Sequence, residues 1–458
     1  MFSDRIYAFI DENRERFSLE LAEFLKIPSV STLSANQDDI RKAARWILEQ
    51  MGKFGVEGRL YQTARHPIIF AQSPHVPGAP VLLIYGHYDV QPPDPLDEWL
   101  TPPFSPDIRD GYIYARGATD DKGQFFTYLK AIEAYLASGE RLPINLKFLV
   151  EGEEEIGSLN LEKFLTDHKE LLAADAVAIS DTSQFARGIP AITYGLRGLC
   201  YFQVDIRGPR FDLHSGVFGG VVENPVQTLI NILARLKNAD DTVALPGFYD
   251  RVLPLEARER KEMASLPFDE AAFKEYLGVS QLMGEPGYSP IERRTARPTL
   301  DINGIWGGFS GEGAKTIIPA KAGAKVSMRL VPNQDPAEIE RIFRDFVNAN
   351  VPRGYSIEIA DLHGASPVLV PRNSSAMQAA ERAIERGFGK KPVFIREGGS
   401  IPVVNLFKKH LGQENILLLG WGTSDDGAHS PNERFSLEDF YKGIRTVAAL
   451  FHEMSGTA

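Results

Sequence analysis

The chain has 458 residues, and 43% of them are hydrophobic, which is enough for extensive buried cores and argues against a disordered protein. Its 50 basic and 61 acidic side chains give a formal net charge of −11, which disfavours binding to nucleic acid or to an anionic membrane surface. At roughly 150 residues per domain, this length predicts two or three domains.

The cysteine count and the N-terminal segment indicate the cellular compartment of the protein. A single cysteine, Cys200, excludes a disulfide within the chain and favours a reducing compartment, so we expect a cytoplasmic protein. The first residues, MFSDRIYAFIDENRERF, carry acids from the fourth position on, which predicts an amphipathic helix and not a secretory signal. No stretch approaches the roughly 18 apolar residues that a membrane-spanning helix needs.

The first 190 residues alternate between patterns typical of helices and of strands. Apolar residues recur at helical spacing over residues 4–26, 37–54 and 121–139. Short apolar runs predict strands at residues 68–72, 81–86, 145–152 and 176–180. Strands that alternate with helices predict an α/β layer with a largely parallel sheet.

The pattern changes near residue 191 and changes back near 369. In between, alternating strand patterns flank helix patterns in NPVQTLINILARLKNA and at 335–349, which predicts a small α+β insert. From about 369 the earlier alternation resumes, and a last helix begins near 436. We therefore expect a first domain in two parts, 1–190 and 369–458, interrupted by an inserted domain at 191–368.

Acids and histidines stand beside the apolar strands and a helix start at five places. They are His87 and Asp89 in GHYDVQ, Asp120 and Asp121 in ATDDKG, four glutamates in VEGEEEIGS, Asp181 in AVAISDTS, and His429 in SDDGAHSPNE. Each place alone has an ordinary structural explanation: a satisfied histidine, a helix N-cap, a solvated acidic run, a turn residue or a polar loop.

Taken together, the five places indicate a metal site. Ligands bind at the carboxyl ends of strands in open α/β sheets, so these groups should meet at one edge of the predicted sheet. Crowded carboxylates repel one another unless a cation lies among them, and mixed histidine and carboxylate ligands suit Zn²⁺, Mn²⁺ or Co²⁺. Because one cation cannot use so many anionic ligands, we predict two ions bridged by a carboxylate, as in two-metal hydrolases.

The five motifs, in this order, resemble the M20 family of metallopeptidases, and most closely its cytosolic nonspecific dipeptidase and carnosinase branch. The likeness covers nearly the whole chain. It implies a metal-dependent exopeptidase-type α/β catalytic domain, with the insert as an α+β lid and dimerisation domain. It also implies a homodimer, dipeptide substrates and two divalent ions per chain, with zinc preferred and manganese or cobalt as alternatives.

The resemblance implies a role for each residue of the metal site. The ligands are His87 and Asp181 for one ion, Glu155 and His429 for the other, and Asp120 as the bridge between them. Asp89 orients His87, and the peptide bond after Asp120 is expected to be cis.

The acidic run EGEEEIGS supplies the general base. The resemblance makes Glu154 the base that takes a proton from a water shared by the two ions, and Glu155 the ligand beside it. The run is ambiguous by one position, because Glu153 stands where the family has an apolar residue and Ile156 where it has serine. The flanking EG and GS favour the assignment to Glu154 and Glu155.

The inserted domain and the segment after it carry the residues that the resemblance implies for substrate binding. His214, in FDLHSGVFGG, is expected to reach the active site of the partner subunit and to stabilise the oxyanion. Arg329, in SMRLVPN, matches the residue that holds the substrate's C-terminal carboxylate, a pairing that suits a guanidinium. The further candidates are Thr316, His363, Glu397 for a free α-amino group, and the turn Gly399–Ser400 near the carboxylate.

The resemblance implies hydrolysis of dipeptides or very short peptides with free termini. The alternative within the family is an N-acyl-amino-acid deacylase of the acetylornithine or succinyl-diaminopimelate type, which Asp181 and Glu397 disfavour. A two-metal phosphoesterase would need phosphate-binding cations, and GGFSGEGAKT misses the phosphate-loop spacing and precedes a strand. A metal-binding protein without activity is disfavoured by the presence of Glu154 and His214.

Overall fold

The computed structural model describes residues 3–399 and 401–456. The chain divides into two compact units. The main unit comprises Met1–Tyr194, Val370–Ile395 and Pro402–Ala458, and the inserted unit comprises Gly195–Leu369 and Arg396–Ile401.

The described residues form strands and helices with the following bounds. The strands are β1 (Glu57–Tyr61), β2 (Ile68–Gln72), β3 (Val81–His87), β4 (Asp107–Arg109), β5 (Tyr112–Tyr114), β6 (Asn145–Glu151), β7 (Ala176–Ile179), β8 (Ala191–Leu196), β9 (Gly198–Arg207), β10 (Leu213–His214), β11 (Thr299–Gly307), β12 (Ile317–Ile318), β13 (Lys321–Leu330), β14 (Ser356–Ala365), β15 (Val368–Leu369), β16 (Val393–Glu397), β17 (Ile416–Leu418) and β18 (Arg434–Ser436). The helices are α1 (Asp4–Glu12), α2 (Arg14–Leu25), α3 (Gln37–Lys53), α4 (Lys122–Ala137), α5 (Leu161–Asp167), α6 (Ser215–Phe218), α7 (Pro225–Ala234), α8 (Ala257–Ala264), α9 (Glu270–Leu277), α10 (Pro290–Thr295), α11 (Pro336–Ala349), α12 (Ser375–Phe388), α13 (Pro402–Leu406) and α14 (Leu437–Met454).

The main unit contains a mixed sheet in which β1, β2, β6, β3, β7, β17 and β8 lie side by side in that order. The four strands β6, β3, β7 and β17 are parallel to one another. The strands on either side of these four run antiparallel to their neighbours. Strands β3 and β7 are buried almost throughout, which explains why their sequences are continuous apolar runs without polar alternation.

The helices of the main unit cover this sheet. Helix α4 is buried over nearly its whole length and packs against α14, where the rings of Phe126 and Phe440 stack with centroids 6.3 Å apart. The predicted helix at 4–26 is two helices, because Asn13 ends α1 by donating its side-chain amide to the Phe9 carbonyl. None of the helices that the structure describes is both long and apolar enough to cross a bilayer.

The inserted unit contains a four-stranded antiparallel sheet in the order β11, β13, β9, β14. Buried residues alternate along β9 and β13, and those of one sheet face form a core with the apolar sides of α7 and α11. The predicted fold class, an α/β domain with an α+β insert, is confirmed. Helices α8, α9 and α10 were not predicted, because they have only six to eight residues and α9 buries none of them.

Candidate two-metal active site

The carboxyl ends of the parallel strands meet at one edge of the main sheet. His87 is the last residue of β3, Asp181 follows β7 by two residues, and the loop after β17 carries His429. Asp120 lies in the loop that leads into α4, and its peptide bond to Asp121 is cis, as the resemblance implied. Residues that are hundreds of positions apart in the chain thus come together at this edge.

Two groups of three side chains share Asp120. In the first group, His87 Nε2 lies 3.1 Å from Asp120 Oδ1 and 4.0 Å from Asp181 Oδ1. In the second, His429 Nε2 lies 2.9 Å from Asp120 Oδ2 and 3.3 Å from Glu155 Oε2. Within each group the potential ligand atoms lie within 4.8 Å of one another, so each group could hold one cation. The two oxygens of Asp120 face different groups, which is the arrangement of a bridging carboxylate.

The hydrogen bonding of the His87 imidazole shows whether these residues suit a metal ion. Its Nδ1 lies 3.1 Å from the backbone carbonyl of Asp89 and 3.5 Å from the Asp89 carboxylate, so Nδ1 carries the proton and donates it. Its Nε2 is buried and makes no hydrogen bond with any described residue. A buried imidazole whose Nε2 lone pair points toward carboxylates is a suitable metal ligand. Its Nδ1 donates to an oxygen of Asp89, as the second nitrogen of a metal-bound histidine usually does to a carbonyl or carboxylate.

Burial and the crowding of acids determine the protonation of the site. Burial raises the pKa of Asp181 well above its usual range, and the Asp120 carboxylate acts in the same direction. Burial alone would also raise the pKa of Asp120, but the neighbouring imidazoles of His429 and His87 hold it below its usual range. The hydrogen bond with Asp120, followed by the one with Glu155, raises the pKa of His429 to about 10. Acids this close together are stabilised by a cation among them.

The first two glutamates of the acidic run are held by other partners. Glu151 accepts hydrogen bonds from the hydroxyl groups of Tyr85, at 2.7 Å, and Ser158, at 2.8 Å. Glu153 is buried and accepts the backbone N–H of His66 at 2.9 Å. These contacts leave Glu155 as a ligand of the second group and Glu154 as the candidate base.

Asp89 holds the 3₁₀ turn that carries those two glutamates. Its carboxylate oxygens accept the backbone N–H groups of Glu154, at 3.2 Å, and Glu155, at 3.1 Å. Among the described residues no hydrogen bond reaches the Glu154 carboxylate. Burial raises the pKa of Glu154 to about 7, against the opposing effect of His87 and with the help of Glu155. A carboxylate that titrates near neutrality can take up a proton and return it.

Two residues that the sequence analysis did not single out contact the ligands. Gln91 donates its side-chain amide to Glu155 Oε2 at 2.7 Å. Glu433 is fully buried and accepts the backbone N–H of Asp120 at 3.1 Å. Each stands four positions after a predicted histidine ligand, in GHYDVQ and in HSPNE, and this short spacing is the one signal in the sequence that could have indicated them.

His214 and Thr316 come together in the inserted unit. His214 ends β10, which pairs with β12, and the backbone N–H of Ser215 donates to the Thr316 carbonyl at 3.1 Å. The Nδ1 of His214 accepts the N–H of Gly216 at 3.0 Å, which leaves Nε2 to carry the proton. The exposed imidazole is therefore arranged as a hydrogen-bond donor.

The remaining predicted residues of the inserted unit lie at several places. Arg329 on β13 and His363 on β14 share the face of the four-stranded sheet that points away from the core, as the register of the strands shows. Glu397 ends β16, and Gly399 is exposed in the turn that follows. Ser400 lies outside the described residues.

Comparison with known proteins identifies a matching family and several similar proteins and solved structures. The model of "Peptidase family M20/M25/M40" matches residues 83–453. The chain is 35% identical to the Cys-Gly metallodipeptidase dug1 of Schizosaccharomyces pombe, over 100% of this chain and 99% of that protein. The structure of human carnosine dipeptidase 1 matches with a TM-score of 0.84 and 30% identity, covering 99% of this chain and 98% of that one. An M20 family metallo-carboxypeptidase from Sulfolobus solfataricus, Sso-CP2, matches with a TM-score of 0.85 and 34% identity, covering 96% and 99%.

Proposed function

Because the chain belongs to peptidase family M20/M25/M40, and is thus a metallopeptidase, we propose that it hydrolyses dipeptides or very short peptides with free N- and C-termini. The observation that carries this proposal is the pair of three-residue groups that share Asp120, with the Glu154 carboxylate beside them. Relatives that are named dipeptidases support the substrate class.

The metal and the compartment are part of the same proposal. The donor set mixes imidazole and carboxylate, which suits zinc first and manganese or cobalt as alternatives. A cytoplasmic location is supported by the sole cysteine, Cys200, which is buried and cannot form a disulfide within the chain.

The proposed mechanism assigns proton transfer to Glu154. When bound, the two ions polarise the scissile carbonyl and lower the pKa of an attacking water. Glu154 removes the proton from that water and delivers it to the leaving amine. Asp89 keeps the base in position by accepting its backbone N–H. His214 of the partner subunit donates a hydrogen bond to the oxygen on which negative charge develops.

Recognition of both termini explains the proposed preference for short peptides. Arg329 holds the C-terminal carboxylate as a charge-assisted pair, and Glu397 meets the free α-amino group. Thr316, His363 and the turn Gly399–Ser400 complete the proposed contacts to the substrate. A site that holds both ends of its substrate sets the length that it accepts.

Two alternative activities are compatible with the same metal centre. An N-acyl-amino-acid deacylase would act on substrates without a free α-amino group, and the acid Glu397 disfavours this. A carboxypeptidase acting on longer peptides is a second candidate, since Sso-CP2, named a metallo-carboxypeptidase, is 34% identical over nearly the whole chain. The substrate panel below separates the three activities.

Removal and return of the metal tests the proposed activity. We expect the chelator-stripped protein to be inactive, and activity on Ala-Ala to rise on addition of Zn²⁺ or Mn²⁺ to a plateau at about two ions per chain. We expect N-acetyl-Ala to be cleaved at least about 100-fold more slowly, because Glu397 then has no ammonium group to meet. Faster cleavage of N-acetyl-Ala would establish the deacylase, and a preference for Ala-Ala-Ala-Ala would establish the carboxypeptidase.

A homodimer through the inserted unit is also proposed. Strand β11 pairs only with β13 among the described residues, and it exposes Ile302, Ile305 and Trp306 by 47%, 54% and 42%. An edge strand with exposed apolar side chains is a surface that proteins normally cover. A second copy of the chain is the proposed cover, and the proposed action of His214 across subunits requires it.

Mixing two inactive variants tests this arrangement. We expect His214→Ala and Glu154→Gln each to be nearly inactive as homodimers. After subunit exchange in an equal mixture, heterodimers should contain one complete site and restore about a quarter of the wild-type activity. Light scattering should give two chains per particle. No recovery, once exchange has been shown with differently tagged chains, would place His214 outside the partner's site.

A further inference from the structure

We infer that Glu433 is a positioning residue that holds the bridging Asp120 in the orientation that both metal groups need. The inference deepens the proposed function, on which it rests. It assigns a role to a buried carboxylate that is outside both groups of predicted ligands.

The Glu433 carboxylate receives four hydrogen bonds from one short segment. Its Oε2 accepts Arg116 Nη1 and the backbone N–H of Gly117, both at 2.9 Å. Its Oε1 accepts the backbone N–H groups of Thr119, at 2.9 Å, and Asp120, at 3.1 Å. Every donor comes from residues 116–120, the segment that ends in the bridging residue.

These contacts determine the path of the loop before α4. Backbone N–H groups that are buried without a partner are costly, and here one carboxylate satisfies three of them. Gly117 has a φ of +85°, so the chain turns sharply between the donors and brings the last of them onto the same carboxylate. Since the backbone at Asp120 is held directly, the direction in which its side chain leaves the loop is held as well.

Glu433 also connects the bridge to the second metal group. It lies four residues after His429, in the segment whose next strand, β18, pairs with β5. The backbone N–H of Ala115 donates to the Glu433 carbonyl at 3.1 Å, so main chain and side chain hold the same loop. The segment that brings one histidine ligand to the site therefore also sets the position of the carboxylate shared by both groups.

The inference predicts a distinctive defect in Glu433→Gln. The amide cannot accept at both of its ends, so the N–H groups on one side lose their acceptor and the loop shifts. Because Asp120 serves both groups, both ions should bind about 10- to 100-fold more weakly, the range typical of residues that support metal ligands. Replacing His429, by contrast, should weaken the binding of one ion only.

A matched variant controls for a general loss of stability. Glu292, in the inserted unit, is also buried, pairs with Arg260 at 2.7 Å and accepts the backbone N–H of Ser289 at 2.6 Å. Glu292→Gln should lower the melting temperature without changing metal affinity. Calorimetric titration with Zn²⁺ measures both affinities, and the absorption spectrum of the Co²⁺-loaded protein reports the coordination geometry, which should change only in Glu433→Gln.

The outcomes separate this inference from the proposed function. Unchanged affinities in folded Glu433→Gln, or a loss at one ion only, would overturn the role of Glu433. If Glu433→Gln does not fold because Arg116 keeps an uncompensated charge, the double variant with Arg116→Gln removes both charges and decides the question. Failure of the wild type to bind two ions or to cleave dipeptides would instead overturn the proposed function.

Discussion

Replacement of Asp120 by alanine is expected to remove both metal ions together with the peptidase activity. Its two carboxylate oxygens face different groups, one with His87 at 3.1 Å and one with His429 at 2.9 Å. Loss of the shared ligand leaves each group with two ligands, and the crowded acids that remain lose the cations that stabilised them. We expect kcat/KM on a dipeptide to fall by at least about 10³-fold, which corresponds to about 4 kcal/mol.

Metal content after dialysis is the direct measurement for this variant. The protein should retain less than one ion per chain, whereas His429→Ala should retain the ion held by the other group. Asp38→Ala is a suitable control, because this acid of the main unit has a side chain that is 98% exposed and lies outside both groups. One tightly bound ion in Asp120→Ala would show that the residue is not a bridge.

Replacement of Glu154 by glutamine is expected to stop turnover while both ions stay bound. The residue belongs to neither three-residue group, and its link to Asp89 is through the backbone N–H, which glutamine keeps. The amide cannot take the proton from the attacking water. We expect kcat to fall by about 10²- to 10⁴-fold, the usual contribution of a general base. Steady-state rates on Ala-Ala at saturating metal, with metal content measured in parallel, test this expectation.

The neighbouring Glu153→Gln variant makes this measurement specific. Glu153 is a buried acid that accepts backbone N–H groups from His66 and Asn160, so its loss should lower stability and leave kcat nearly unchanged. If Glu153→Gln stopped turnover and Glu154→Gln did not, the register of the acidic run would be shifted by one residue. Full activity in Glu154→Gln would remove this residue as the base.

The sequence alone determined the fold class and the residue types of the site. Short continuous apolar runs such as VLLIYG are typical of strands buried on both faces, and strands that alternate with helices favour parallel sheets. The carboxyl ends of parallel strands share one edge, so the sequence predicts that the acid or histidine after each run belongs to a common site. This reasoning reached His87 and Asp181 directly, because each stands at or within two residues of a strand end.

Only the tertiary structure decided which acids of the site bind structural partners and which are available as metal ligands or as the base. Four glutamates stand in one run, and their sequence does not show that Glu151 and Glu153 are held by residues of distant segments, such as Tyr85 and His66. Nor does any local pattern indicate that Glu433 accepts the amides of a loop more than three hundred residues earlier. Such contacts depend on which segments the folded chain brings together, and apolar periodicity carries no information about them.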